Sequence, residues 1–383
     1  MTPPRSMQLH RATQAFLDNS GLLILGTAIA LVWANVARES YAHFAHAIHF
    51  AVNDVAMAFF FALATKEVVE ATAPGGALHS PRRAALPLAA AVGGMLGPAL
   101  IFLWMTTTFD RPDLERGWAI PCATDIAFSY LAARLVFGAK HPAIPFLLLL
   151  AIADDALGLL IIAAFYPTGP LHLAQFGAFL IAAMLAGWWM RKRPVLNFWP
   201  YVLVAGALSW VAFYRGGLHP ALALVPIMPF LPHASRDPGL FVEAPHAFDT
   251  LNEFEHEWKR PVDVVLFFFG LANAGVTFGN VGAGTWFVLT AILVGKPVGI
   301  LAATAVTEFA GLHRPQRVTW RDLMVVGVIA GIGFTVALFF ATAAFPYGRL
   351  LDETKMGALL SFSAFAIALA VAWLFKVGRY ARD

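Results

Sequence analysis

Two adjacent carboxylates, Asp154 and Asp155, stand inside an apolar run, Phe146-Leu-Leu-Leu-Leu-Ala-Ile-Ala-Asp-Asp-Ala-Leu-Gly-Leu-Leu-Ile-Ile-Ala-Ala-Phe165. A helix that crosses a bilayer needs about 20 such residues. A bare charge at membrane depth costs about 2.5–3.5 kcal/mol on insertion scales, and more in simulations. Groups that costly are retained where the charge is used, so the pair predicts an ion or proton site. Neighbouring helix positions point about 100° apart. One carboxylate can therefore face a cavity while the other meets a neighbouring helix. The bland alternative is a structural polar pair satisfied by backbone and hydroxyl groups.

A counter-charge is available. Lys296 sits in Ala291-Ile-Leu-Val-Gly-Lys-Pro-Val-Gly-Ile-Leu301, with apolar residues on both sides. A lysine there pairs with a carboxylate or loses its proton; a pair would be either a purely structural bridge or one that breaks during transport. Thr124 and Asp125 follow Pro121 in Gly117-Trp-Ala-Ile-Pro-Cys-Ala-Thr-Asp-Ile-Ala-Phe128. Proline removes a backbone donor there. Where two half-helices meet head to head, their positive ends face each other, and Asp125 either compensates them or ligates the ion directly. Lys296 can compensate two negative ends. Thr124 offers oxygen to a hard cation.

The remaining candidates lie nearer the membrane faces. Asp54, in Asn53-Asp-Val-Ala-Met-Ala58, either lines an exit funnel or caps a helix. Lys66, Glu67 and Glu70 form either an acidic inner mouth or a solvated helix end, with Lys66 snorkelling to the interface. A free imidazole titrates near neutrality, so His219 and His256 either tune activity or are structural. His43, His46 and His49 recur on one face, and read as an interfacial amphipathic turn rather than a metal site.

These residues need helices to hold them at depth. The 383-residue chain is 59% hydrophobic and 13% charged, against about 25% charged for soluble domains. This excludes an ordinary soluble enzyme and predicts a polytopic all-α membrane protein of one domain, residues 1–383. Apolar stretches at 15–34, 51–72, 84–106, 117–137, 143–165, 171–190, 198–214, 218–231, 261–279, 285–309, 321–345 and 356–377 make about twelve spans. No cleavable leader is evident before the first. With the N-terminus inside, about eighteen basic residues fall on inner loops and about six outside. The inner group includes Arg5, Arg11, Arg82, Arg83, Arg236 and Arg382; Lys355 is among the outer ones. Both termini are therefore expected in the cytoplasm. The single Cys122 excludes a disulfide within the chain and a cysteine-based metal site. The net charge of +3 gives no reason to expect nucleic acid. No cofactor is expected.

Spans four and eleven look interrupted, the latter at Gly327-Val-Ile-Ala-Gly-Ile-Gly-Phe-Thr335. Broken helices at corresponding places in two halves point to inverted repeats, here roughly 84–165 and 285–377.

Taken together, the motifs resemble the NhaA family of sodium/proton antiporters. The resemblance rests on Asn53-Asp-Val-Ala-Met-Ala-Phe-Phe60, Gly117–Phe128, Leu150-Ala-Ile-Ala-Asp-Asp155, Leu271-Ala-Asn-Ala-Gly-Val276, Gly295-Lys-Pro-Val-Gly-Ile300 and Met324–Thr335, in family order across nearly the whole chain. It implies a twelve-helix fold with crossed, interrupted helices four and eleven. It also implies electrogenic exchange of two protons for one Na+ or Li+ at the bacterial inner membrane. By the resemblance, Asp154 and Asp155 bind the cation, Thr124 and Asp125 form the helix-crossing site, Lys296 is the helix-ten lysine, and Asp54 is the outer-funnel aspartate. Glu67, Glu255 and His256 fall where the family senses pH. The chain departs at Thr65-Lys-Glu-Val-Val-Glu-Ala71, where the family's basic pair and final glutamate are missing. Arg38–Val52 lacks the alternation of the dimerising β-hairpin that some members carry, so a homodimer would form without it. The rivals are an intramembrane aspartyl protease, which needs two carboxylates sharing a proton, and a sodium-coupled carrier of an organic anion.

Overall fold

In a computed structural model the described residues are 21–193, 195–233, 249–312, 314–315 and 317–380. Arg5, Arg11, Arg236 and Arg382, counted above on the inner side, lie outside them, as do the start of the first apolar stretch and the side chains of Arg82 and Arg83. All regular structure among the described residues is helical. The helices are α1 Gly21–Val36, α2 Arg38–Thr72, α3 Pro81–Thr108, α4 Ile126–Phe137, α5 Ala143–Phe165, α6 Leu173–Lys192 and α7 Ala207–Gly216. After these come α8 Thr250–Asn273, α9 Ala283–Phe309, α10 Trp320–Ala330, α11 Phe334–Ala344, α12 Arg349–Leu360 and α13 Ser363–Phe375. Among the described residues, six helical segments are each long and apolar enough to cross a membrane, and two bent pairs pass the same test together. The chain is a multi-pass membrane protein.

Several stretches depart from expectation: the helices expected at 51–72 and 356–377 begin earlier, at Arg38 and Arg349. Residues 218–231 form no continuous α-helix. They run as successive tight turns, with single 3-10 turns at Pro220–Leu222 and Met228–Phe230. Pro220, Pro226 and Pro229 remove the donors that an α-helical ladder would need. The helix expected at 261–279 begins earlier, because Asp249 accepts the Asn252 amide at 2.7 Å and caps α8.

The bent pairs carry the breaks. Pro112–Cys122 meets α4 at 56° across residues 123–125, and α10 meets α11 at 50° across residues 331–333. The breaks touch: the Asp125 amide donates to the Ile332 carbonyl at 2.6 Å. Non-helical backbone at this depth is tolerated because protein surrounds it and completes its hydrogen bonds.

The third component is α9, which packs closely along α3. A methyl carbon on Gly299 would lie 2.0 Å from the Gly93 carbonyl oxygen, and one on Gly97 would lie 2.2 Å from that of Gly295. Glycines four apart on both helices let the backbones meet. That contact drives Lys296, between Gly295 and Gly299, toward the break before α4. A π-helical turn at Ala291–Gly295 immediately precedes the lysine.

Candidate ion-binding site

The site assembles where α5, the α9 lysine and the two breaks converge. Lys296 is fully buried and its Nζ lies 3.0 Å from Asp154 Oδ2. The same ammonium donates to the Cys122 carbonyl, at the end of the short turn before the break. Thr124 Oγ1 lies 2.7 Å from Asp154 Oδ2 and 3.0 Å from the Ala330 carbonyl. Its one hydrogen can serve only one of these acceptors at a time. Asp154 Oδ1, also buried, has no hydrogen-bond partner among the described residues.

Asp155 projects elsewhere. It lines a narrow crevice with Phe60, Phe61, Ala64, Gly158, Leu159, Ile162 and Val336. The space open to the centre of a water-sized sphere is about 10 Å³, room for about one water. Adjacent carboxylates thus divide: Asp154 meets Thr124 and Lys296, and Asp155 faces an otherwise apolar slot.

Asp125 serves two helix starts. It is the N-cap of α4, where it accepts the Phe128 amide at 3.4 Å. From α11 it accepts the Thr335 amide at 3.3 Å and the Thr335 hydroxyl. One carboxylate therefore answers the positive ends of both α4 and α11. The last carbonyls of α10 are answered from the other side, by the Ser129 hydroxyl on Ile329 at 3.1 Å and by Thr124 on Ala330. The ammonium of Lys296 on Cys122 completes the compensation.

The peripheral candidates are placed separately. Asp54 lies in a π-helical turn, Phe50–Ala56, within the continuous helix α2. It is no N-cap, which removes the capping explanation. Its carboxylate lies 3.9 Å from Nδ1 of the buried His219, and it borders an open vestibule of about 410 Å³ with Thr168, His172, Tyr214 and Arg215. Lys66 does not snorkel: it is 4% exposed. Its ammonium pairs with Glu70 at 2.6 Å and with Glu255 of α8, and approaches Glu67 at 3.9 Å. Burying a lysine is tolerable with two carboxylates in hand. His256, next to Glu255 on α8, is exposed. His43, His46 and His49 lie on helix, not strand, and among the described residues no group of three metal-ligating side chains is formed. Lys355, assigned to an outer loop from the sequence, is buried in α12.

Sequence reasoning missed the Cys122 and Ala330 carbonyls, Ser129, and Glu255 as the partner of Lys66. Backbone oxygens leave no side-chain signature. The Lys66–Glu255 pair joins residues 189 positions apart.

A sequence model described as Na+/H+ antiporter 1 matches residues 14–374. The chain belongs to this family. A Na(+)/H(+) antiporter NhaA of Desulfitobacterium hafniense (strain DSM 10664 / DCB-2) is 47% identical over 375 residues, covering 95% of this chain and 96% of the relative. NhaA 1 of Pelobacter propionicus is 48% identical over 366 residues, covering 93% and 96%. The solved structure of the sodium proton antiporter MjNhaP1 from Methanocaldococcus jannaschii superposes with a TM-score of 0.56 at 13% identity, covering 93% of this chain and 90% of that one. At that identity the likeness speaks to fold alone, and it covers nearly the whole chain.

Proposed function

We propose that this chain exchanges cytoplasmic Na+ or Li+ for external H+ across a bacterial inner membrane, as an electrogenic carrier working by alternating access. The observation that carries the reading is the half-satisfied Asp154. Lys296 and Thr124 hold one of its oxygens, while the buried Oδ1 has no hydrogen-bond partner among the described residues. An unpaired buried carboxylate oxygen is costly, and either a proton or a small cation would relieve that cost. Asp155, one residue along in its crevice, supplies further oxygens, and Thr124 a hydroxyl. These are the ligands hard monovalent cations prefer.

Competition then gives coupling. The site crosses the membrane neutralised, with either protons or the cation on its carboxylates; crossing bare is penalised by desolvation. Cation entering from the cytoplasm displaces protons from Asp154 and Asp155 and weakens the hold of Lys296 on Oδ2. External protons later displace the cation. With two protons entering per cation leaving, one net charge moves inward. The membrane potential then contributes about 2.3 kcal/mol per 100 mV toward export. Thr335-bonded Asp125 holds the crossing together and need not ligate the cation.

The same reading takes twelve spans with the fourth and eleventh crossed, repeats at roughly 84–165 and 285–377 within one domain, both termini inside, and any dimer formed without a β-hairpin. Asp54 lies on the outer passage. Glu67, Glu255 and His256 lie at the inner mouth, where Lys66 ties α2 to α8. Family membership and the engagement of Asp125 by Thr335 favour a carrier over an aspartyl protease, whose two acids must share a proton. The test is exchange in proteoliposomes: Asp154→Asn and Asp155→Asn should each abolish Na+-dependent proton movement. Exchange at the parent rate by both variants would reject the mechanism.

A further inference from the structure

Helix α2 is longer than its task requires. Its 35 residues, Arg38–Thr72, exceed the about 20 that a bilayer needs. Counted back from Glu70 at the inner end, a span of that length is complete near Phe50. His49 then stands at the outer face, and it is exposed.

From His49 a chain of hydrogen bonds runs into the protein. Its Nε2 lies 3.0 Å from Asn53 Nδ2. Asn53 Nδ2 also donates to Asn273 Oδ1 at 3.0 Å, and Asn273 Nδ2 donates back to Asn53 Oδ1 at 2.8 Å. Asn273 Nδ2 gives its other hydrogen to the Phe269 carbonyl at 3.0 Å. Both asparagines are buried. A carbonyl only accepts, so Phe269 fixes which end of the Asn273 amide faces it, and the reciprocal pair then fixes Asn53. Both hydrogens of each amide are committed. His49 Nε2 must therefore accept, which makes the ring neutral with its hydrogen on Nδ1. A proton on Nε2 would set donor against donor. Turning both amides over would repair that contact only by aiming the Asn273 oxygen at the Phe269 carbonyl. Either way a buried amide loses a bond.

One protonation state is thus built into a tie between α2 and α8. The tie sits in the π-helical turn Phe50–Ala56, and Asn53 directly precedes Asp54. Tyr41 holds the same end of α8 through the Ala272 carbonyl at 3.1 Å and the Gly275 amide at 2.9 Å. Those bonds survive when His49 gains charge. The ionisable groups facing His49 are His46 of its own helix, Lys355 of α12 and His219 of the turn before Pro220. All three are basic, so a second proton on the imidazole meets repulsion as well as a lost bond.

We infer that His49 is a proton-operated latch on the outer face. Neutral, it completes the tie and steadies the turn that presents Asp54 to the vestibule. Protonated by external acid, it releases Asn53 and adds positive charge beside the passage. External acid thereby weakens rebinding of the cation from outside, in addition to proton competition at the central carboxylates. His49 is a positioning residue and ligates nothing. The inference rests on the reading of Asp54 as an outer-passage residue of an antiporter.

Right-side-out vesicles carrying the full-length chain test it. Na+ is added outside, and the protons it drives out are read with a pH dye trapped inside. The external KM for Na+ is followed from about pH 8 to about pH 5.5, across the range of an ordinary imidazole. His49→Gln keeps an acceptor for Asn53 and cannot be charged, whereas His49→Arg is always charged. On acidification KM should rise about fivefold more in the parent than in His49→Gln, at the low end of coupling between sites. His49→Arg should show the raised KM already at alkaline pH. In everted vesicles, where the bath meets the inner face, acidification should not separate the parent from His49→Gln. The ring is read without exchange, by nitrogen NMR of the purified protein with isotope-labelled histidine, less the spectrum of either variant. At alkaline pH it should show a neutral ring with its hydrogen on Nδ1. Equal pH dependence of external KM in the parent and a folded His49→Gln would overturn the inference. So would a hydrogen on Nε2 at alkaline pH. If His49→Gln misfolds on size exclusion, His49→Arg and the ring signal decide. If no vesicle exchanges Na+ for protons although the Nδ1 hydrogen is found, the antiport reading fails and the tie between α2 and α8 stands.

Discussion

Replacing Lys296 with methionine should reveal how much the buried pair constrains the fold. Methionine fills a similar volume but leaves Asp154 Oδ2 with only Thr124, and Oδ1 still without a partner. Removing one member of a buried ion pair costs about 3–5 kcal/mol. Unfolding entropy of about 2.1 cal/mol/K per residue, summed over the chain, gives about 0.8 kcal/mol/K, so the loss corresponds to a Tm lower by about 4–6 °C. A protonated Asp154 needs no counter-charge. The loss should therefore be largest at alkaline pH and shrink as pH falls. Thermal unfolding of the purified protein in detergent, without Na+ and across pH, measures it. The decisive comparison is the double variant Lys296→Met, Asp154→Asn, in which no charge is left alone. It should recover at least half of the loss at alkaline pH. If the double variant instead shows the sum of the two single losses, with no pH dependence in Lys296→Met, the pair does not hold these helices together and the reasoning fails.

Three further outcomes follow from the same geometry. Thr335→Val removes the hydroxyl donor to Asp125 and should cost about 1.5–3 kcal/mol, the range for a hydrogen bond to a charged group; Thr335→Ser should restore most of it, read by thermal unfolding. Gly299→Ala places a methyl carbon 2.0 Å from the Gly93 carbonyl and should cost at least about 1–3 kcal/mol by overpacking; ion exchange should fall with it, because Lys296 moves with α9. Lys66→Met leaves Glu70 and Glu255 facing each other, at a cost of about 1–2 kcal/mol, between values for exposed and buried pairs. Glu255→Gln in that background should recover part of the loss, and identical stabilities for the two would show that the cluster carries no energy.

How legible was this in the sequence? The central acids and Lys296 stood out because charge within an apolar run is rare, and the cost of burying it forces a partner. The break before α4 was legible from Pro121 and Asp125, since a missing donor and a carboxylate leave a local mark. The second break was legible from its glycines. Span boundaries blurred where charge hid a helix, as in the first turns of α8, or where apolar composition imitated one, as in 218–231. There, hydrophobicity recorded burial and the prolines decided the backbone. Partners far apart in the chain left no mark. Nothing near Lys66 names Glu255.

The wide turn at Ala291–Gly295 has a consequence for how this chain tolerates length changes. A π-helical turn holds one residue more than its α-helical counterpart. Deleting a single residue there would let the segment relax into ordinary helix, with its hydrogen bonding intact and little outward sign of damage. Because five π-helical residues turn about as far as four α-helical ones, the side chains downstream would keep their bearing, and the ammonium at 296 would stay on the acids. The segment is thus a register buffer: an in-frame deletion of one codon within it would be absorbed, whereas the same deletion in the regular turns at Ala283–Thr290 would swing Lys296 off the acids by about 100°.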